Sequence, residues 1–342
     1  MTHPADASTP RVNPSTSASV PRDRTRGRVG AAGAMWLSIL MGATAATGCS
    51  NRGKGGDPKA PEDATEATKH YDVAVGSFHN GMFEDAKMQL DRALAINPKH
   101  ADSHYLMGVL LLNEGRTIVD AVEIDRCLVD EAANLQRERA EGLHRNAREA
   151  FAKAAERYDE GNRGRGRALN SMAVVDLFFG ATASAVSQAQ AALAEQFYTQ
   201  RYSALANLGW AYYSQGDLVE ATTELRQSVM VNPDYCVGRY RLAQVYLDTQ
   251  RPDLALEHAG VVANDERCPI QDAHRIVGVA NLRLGRVADA EAAFNQCVSL
   301  APRSCLAIDC SRFLGPSTAP EGGQQTVAHA APAAVPSGNG LK

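Results

Sequence analysis

Motifs for catalysis are missing from this sequence. It contains no His-Glu-x-x-His pair, no Gly-x-x-x-x-Gly-Lys-Ser/Thr loop, no Gly-x-Ser-x-Gly elbow and no Cys-x-x-Cys pair. Those spacings hold a hydrolytic metal, a nucleotide phosphate, a serine nucleophile or a redox dithiol, so nothing in the chain points to an enzyme, a metal or a cofactor. An excess of one charge is missing too, with 35 Lys and Arg against 39 Asp and Glu and a formal net charge of −4. In the first 48 residues Arg11, Arg22, Arg24, Arg26 and Arg28 outnumber Asp6 and Asp23, so the remainder stands at about −7. A negative body lacks the electrostatic footprint of a nucleic-acid binder. Long apolar runs are also lacking. The strongest, Ala31 to Thr47, is diluted by Gly33, Gly42 and Thr44 and falls short of the roughly 20 residues that span a bilayer.

What stands at the start is a targeting pattern. Arg22 to Arg28 precede that apolar stretch, Ala46, Thr47 and Gly48 are small, and Cys49 follows. This is the order of a secretory signal peptide over residues 1–48. A cysteine directly after small residues resembles the bacterial lipobox, although Ala46 stands where a leucine is usual. The resemblance implies cleavage before Cys49 and acylation of its thiol. With Ser50 rather than an aspartate next, it also implies a periplasm-facing outer-membrane address. Residues 49–65 then form a lipidated N-terminus and a Gly/Pro-containing tether. Residues 315–342, rich in Ala, Pro and Gly without periodicity, are expected to be disordered.

The body between them is periodic. In "ANLGWAYYSQGDLVEATTELRQSVMVNPDY", residues 206–235, apolar and small positions recur at helical spacing, Gly216-Asp217 breaks the run, and Pro233 ends a second one. The unit recurs roughly every 34 residues, with turn glycines at Gly81, Gly115, Gly180, Gly216 and Gly285 and with Gln250 in the one slot that lacks glycine. Small residues recur on the first helix at Ala74, Gly108, Ala173, Gly209, Ala243 and Gly278. They recur on the second at Ala86, Ala147, Ala185, Ala221, Ala255 and Ala290, with Leu90, Phe151, Leu225 and Phe294 filling the gap. Pattern and period resemble the tetratricopeptide repeat, which implies an all-α, right-handed superhelix of about six repeats over residues 66–314 with a final capping helix. Roughly 27 extra residues lie in the turn of the second repeat, at about 116–146, and the stretch from Ala121 to Glu141 looks helical. They either lengthen both helices, the preferred reading, or project as an arm. "GNRGRGR", residues 161–167, imitates a phosphate cradle but follows a helix, and reads as the linker between repeats two and three.

In such a stack, positions 2, 5, 9 and 12 of each first helix face the concave groove. Counting them in register selects Tyr71, Phe78, Tyr105, Val109, Leu112, Val174, Leu177, Trp210, Tyr213, Tyr240 and Leu247 as an apolar, aromatic lining. Such a lining marks a protein-binding groove for an extended strand or an amphipathic helix.

Six cysteines follow Cys49, an even number that in an exported chain reads as a disulfide framework. Cys236 opens the first helix of repeat five and Cys268 follows its second, so antiparallel packing brings the two together. Cys297 faces the final helix, which offers Cys305 or Cys310. Cys127, in the insertion, has no evident mate.

The lipobox, the tether, the repeats, "NLGWAYYSQGDLVEA" leading into "NPDYC", and the late "CPIQDAH", "FNQC" and "SCLAIDC" together resemble the type IV pilus biogenesis lipoproteins, the secretin pilotins. That resemblance implies a non-enzymatic role: capture of secretin subunits at the outer membrane so that they multimerise there. The insertion and the long tail depart from the pattern. The alternative is a general cell-envelope scaffold that binds peptidoglycan enzymes or the outer-membrane protein assembly machinery.

Overall fold

The computed structural model describes residues 62–315 apart from 125, 126 and 129. The signal segment, Cys49, most of the tether and residues 316–342 lie outside the described residues. The described chain is helical throughout, and no helix in it is long and apolar enough to cross a membrane. Six antiparallel pairs follow one another: α1 (Glu62–His79) with α2 (Phe83–Ile96), α3 (Ala101–Glu123) with α4 (Glu131–Arg157), α5 (Arg163–Phe178) with α6 (Thr182–Ala194), α7 (Arg201–Gln215) with α8 (Leu218–Val231), α9 (Cys236–Asp248) with α10 (Pro252–Ala263), and α11 (Gln271–Arg283) with α12 (Val287–Leu300). A short α13 (Cys305–Ser311) closes the series.

Most pairs are held by a size match across the crossing. Where the first helix presents glycine, the second presents a large plug. A Cβ on Gly108 would stand 2.7 Å from the Phe151 ring, one on Gly209 2.7 Å from Leu225 Cγ, and one on Gly278 2.6 Å from the Phe294 ring. Where the first helix presents Ala173 or Ala243, the plug shrinks to Ala189 or Ala259, and all four are fully buried. Repeat one departs from this match, setting Ala74 against Leu90, both fully buried. Turns at Gly81, Gly180, Gly216 and Gly285 are left-handed, and Gln250 adopts the same region at φ 59° in the repeat without glycine.

Repeat two departs from expectation. Gly115 is not a turn: it lies within α3, and a Cβ there would stand 2.9 Å from His144 Nε2. The missing side chain makes room for His144, so α3 runs on to 23 residues and α4 to 27. Over its counterparts α3 gains roughly one and a half to three turns and α4 about four. Nor is 121–141 one helix, because the chain reverses between Ile124 and Asp130, where Asp130 caps α4 by accepting from Ala133 N at 2.8 Å. "GNRGRGR" is linker only at Gly161 and Asn162. Asn162 caps α5 by accepting from Gly164 N at 2.8 Å, and Arg163 to Arg167 form its first turn.

At the far end Ser304 caps α13, accepting from Ala307 N at 2.9 Å, while Ala307 and Cys310 bury against α12 and Phe313 stacks on Phe294 with ring centroids 4.4 Å apart. This covers a face that a stacked repeat would otherwise leave wet. Three disulfides are present: Cys236–Cys268, Cys297–Cys310 and Cys127–Cys305. The last spans 178 residues of sequence. It joins the turn edge of repeat two, reached by the lengthened α3 and α4, to the start of α13, and so ties the second repeat to the cap.

Candidate functional site

First helices touch first helices in succession, α1 to α3 to α5 to α7 to α9 to α11. They form the inner layer, and their exposed flank is the groove. Its N-terminal end is apolar: Tyr71, Val75, Phe78 and Val109 are partly buried and pack on Ala74, Leu90, Leu106 and Leu110. Leu112, Val174 and Leu177 are likewise partly buried. In the middle Trp210 stacks on Tyr213 with ring centroids 4.6 Å apart, and the Arg241 guanidinium lies over Trp210 at 5.4 Å. Arg241 also donates to Ala206 O and Asn207 Oδ1, and Asn207 donates in turn to Asn170.

Three residues expected to line the groove belong instead to the interior. Tyr105, Tyr240 and Leu247 are 4%, 4% and 2% exposed. The Tyr105 ring packs on Phe151, and Leu247 joins the core of repeats four to six. Tyr240 reaches across to donate to Asp272 Oδ2 at 2.8 Å. These side chains fall in the groove-facing register, but neighbouring first helices approach closely enough to cover them.

Polar groups take their place. Asp272 accepts from Tyr240 and from Nε and Nη2 of the Arg275 guanidinium, which also donates to Gln244 at 3.1 Å. Gln244 donates to Asp248 at 2.9 Å, and Asp248 accepts from Tyr213 at 2.5 Å. One hydrogen-bonded chain thus links repeats four, five and six across the groove floor. Burial, then the Asp272 charge, raises the Tyr240 phenol pKa well above its ordinary range, and burial, then the hydrogen bond to Asp248, raises that of Tyr213. Burial and the nearby Asp102 push Tyr71 up to about 12. These phenols therefore stay protonated at neutral pH, and those of Tyr213 and Tyr240 act as donors.

The polar set was legible in the register. Asp102, Arg167, Asn170, Gln244, Asp272 and Arg275 occupy groove-facing positions 2, 5 or 9 of their helices. Selecting only apolar residues at those positions passed over them. Among the cysteines, Cys236 pairs with Cys268, Cys297 with Cys310 rather than Cys305, and Cys305 with Cys127.

A layered stack of paired helices with a concave inner face defines a protein-interaction fold, and this chain carries tetratricopeptide repeats: the model of that repeat matches residues 172–229 and 240–304. Among curated proteins none matches the chain. Of solved structures, PilF of Pseudomonas aeruginosa is similar with a TM-score of 0.52 at 16% identity, over 74% of this chain and 99% of PilF. PilW, a type IV pilus biogenesis factor, is similar with a TM-score of 0.53 at 15% identity, over 71% of this chain and 97% of PilW. The APC/C hetero-tetramer Cut9–Hcn1 reaches 0.57 at 13% identity, over 73% of this chain and 43% of that one. At such identities the likeness is one of fold.

Proposed function

We propose that this chain is a non-enzymatic, lipid-anchored scaffold at the outer membrane that binds secretin subunits through its concave groove and so assists their multimerisation in type IV pilus biogenesis. The observation that carries the binding role is the half-buried Trp210–Tyr213 stack with Arg241 above it, an aromatic and cationic patch of the kind that anchors protein partners. The three disulfides support an oxidising, extracytoplasmic location. Similarity over nearly the whole of PilF and PilW supports the pilus assignment. Anchored through Cys49, the groove would hold subunits in the plane of the membrane. Restricting them to that plane raises their effective concentration without new contacts.

Two measurements check this reading. Cys49→Ala is expected to abolish fatty-acid incorporation and release the protein from the membrane fraction; label that survives the substitution removes the anchor. Trp210→Ala is expected to leave helical content and melting nearly unchanged while weakening capture of purified secretin by about thirtyfold, the equivalent of about 2 kcal/mol for one aromatic anchor. A variant that captures secretin as well as wild type, or a deletion strain in which secretin multimers form normally, overturns the assignment. Tyr240→Ala is not equivalent, because it opens the core and strips Asp272 of a donor.

A further inference from the structure

Arginines of the helix pairs are mostly matched to acceptors. Arg148 holds Asp176, Arg165 holds Glu195 at 2.6 Å, and Arg275 holds Asp272. Arg241 and Arg283 donate to the backbone oxygens of Ala206 and Leu247. Arg167, in the first turn of α5 at position 2 of the repeat register, has no hydrogen bond and no ion pair among the described residues, and its Nε–H is buried without an acceptor. The guanidinium lies over the Tyr105 ring at 5.0 Å. The carboxylate in its neighbourhood, Asp102, accepts from the Tyr158 hydroxyl instead.

The surroundings are built by the glycines of "GNRGRGR". A Cβ on Gly164 would stand 2.3 Å from Tyr158 Cζ, and one on Gly166 2.7 Å from Tyr198 Cβ. Glycine at both positions lets the first turn of α5 settle between these two tyrosines, with Arg167 emerging beside them. Tyr198 is 3% exposed and its hydroxyl has no partner. Burial raises the phenol pKa values of Tyr71, Tyr105, Tyr158 and Tyr198, and the Arg167 charge acts against it at each.

We propose that the Arg167 guanidinium is a receptor for one carboxylate, supplied by an aspartate or glutamate side chain of an extended partner segment lying in the N-terminal half of the groove. A buried guanidinium N–H without an acceptor is unfavourable until an anion arrives, and the planar fork fits a carboxylate in two-point contact. One cation beside the negative Asp102 suits a single charge rather than a phosphate dianion. Partly buried Val75, Val109 and Val174 lie on the first helices of repeats one to three, so the acidic residue would have apolar neighbours in the segment. The proposal rests on the groove being a protein-binding face.

The test uses the full chain and a capped nonapeptide with one central glutamate between valines and leucines, beside its glutamine counterpart. The glutamate peptide is expected to move the Arg167 Nε–H resonance in nitrogen-15 NMR and to bind about tenfold more tightly than the glutamine peptide. Arg167→Gln should erase that preference, Arg167→Lys retain part of it, and the exposed Arg163→Gln leave it intact. Equal binding of the two peptides, or a preference that survives Arg167→Gln in a variant with native circular dichroism, overturns the proposal. So does a resonance that responds to a free peptide C-terminus or to inorganic phosphate but not to the glutamate side chain. Capture of secretin unaffected by Arg167→Gln, with no glutamate preference, sinks this site and spares the scaffold. A glutamate-dependent response without secretin capture does the reverse.

Discussion

Cys127→Ser or Cys305→Ser is expected to destabilise the oxidised chain more than loss of either other disulfide. The bridge closes a loop of 178 residues, against 32 for Cys236–Cys268 and 13 for Cys297–Cys310. Chain entropy of the unfolded state assigns such loops about 5, about 4 and about 3 kcal/mol respectively. The first value is an upper bound, because repeats fold by local contacts and a partly unfolded chain retains much of its structure. The same logic predicts a change of mechanism. With repeat two tied to the cap, repeats two to six should unfold as one unit; without the tie, the stack should melt in separate steps as its ends fray. Urea denaturation followed by circular dichroism reads both effects. An unchanged midpoint and slope in Cys127→Ser would show that the bridge does not restrain the stack.

Phe294→Ala is expected to cost about 3 to 5 kcal/mol, since it empties a fully packed site. Phe294 is 1% exposed, fills the space left by Gly278 and stacks on Phe313 of the cap. Gly278→Ala alone should also destabilise, by about 1 to 3 kcal/mol, because the new methyl would meet the ring. The two together recreate the Ala243–Ala259 pairing that repeat five uses. The double variant should therefore be markedly more stable than the sum of the two losses, with a favourable coupling of about 1 to 2 kcal/mol. Additive losses in thermal denaturation would mean that the two positions do not share one packing volume, and that the size match along the stack is incidental.

Much of the fold was legible because a helix pair carries its own instructions. Gly108 and Phe151, Gly209 and Leu225, and Gly278 and Phe294 state each crossing within one repeat, and the left-handed turns announce themselves by glycine. Gly115 misled for a physical reason. Glycine serves both a turn and a close helix approach, and only the position of His144 decides which. The groove was half legible: Trp210 and Tyr213 stay partly exposed, but Tyr105, Tyr240 and Leu247 are covered by neighbouring helices, and polar side chains such as Asp272 stand among them.

By itself the sequence determined what depends on short separations: six helix pairs, their turns at Gly81, Gly180, Gly216 and Gly285, and a cap after Pro302. Tertiary structure alone decided what depends on the curvature of the whole stack. Curvature sums small rotations over many repeats, and no single unit encodes the sum. It sets how deeply inner-layer side chains are buried, Tyr105, Tyr240 and Leu247 among them. It also brings Cys127, at the tip of a lengthened pair, to Cys305 across 178 residues.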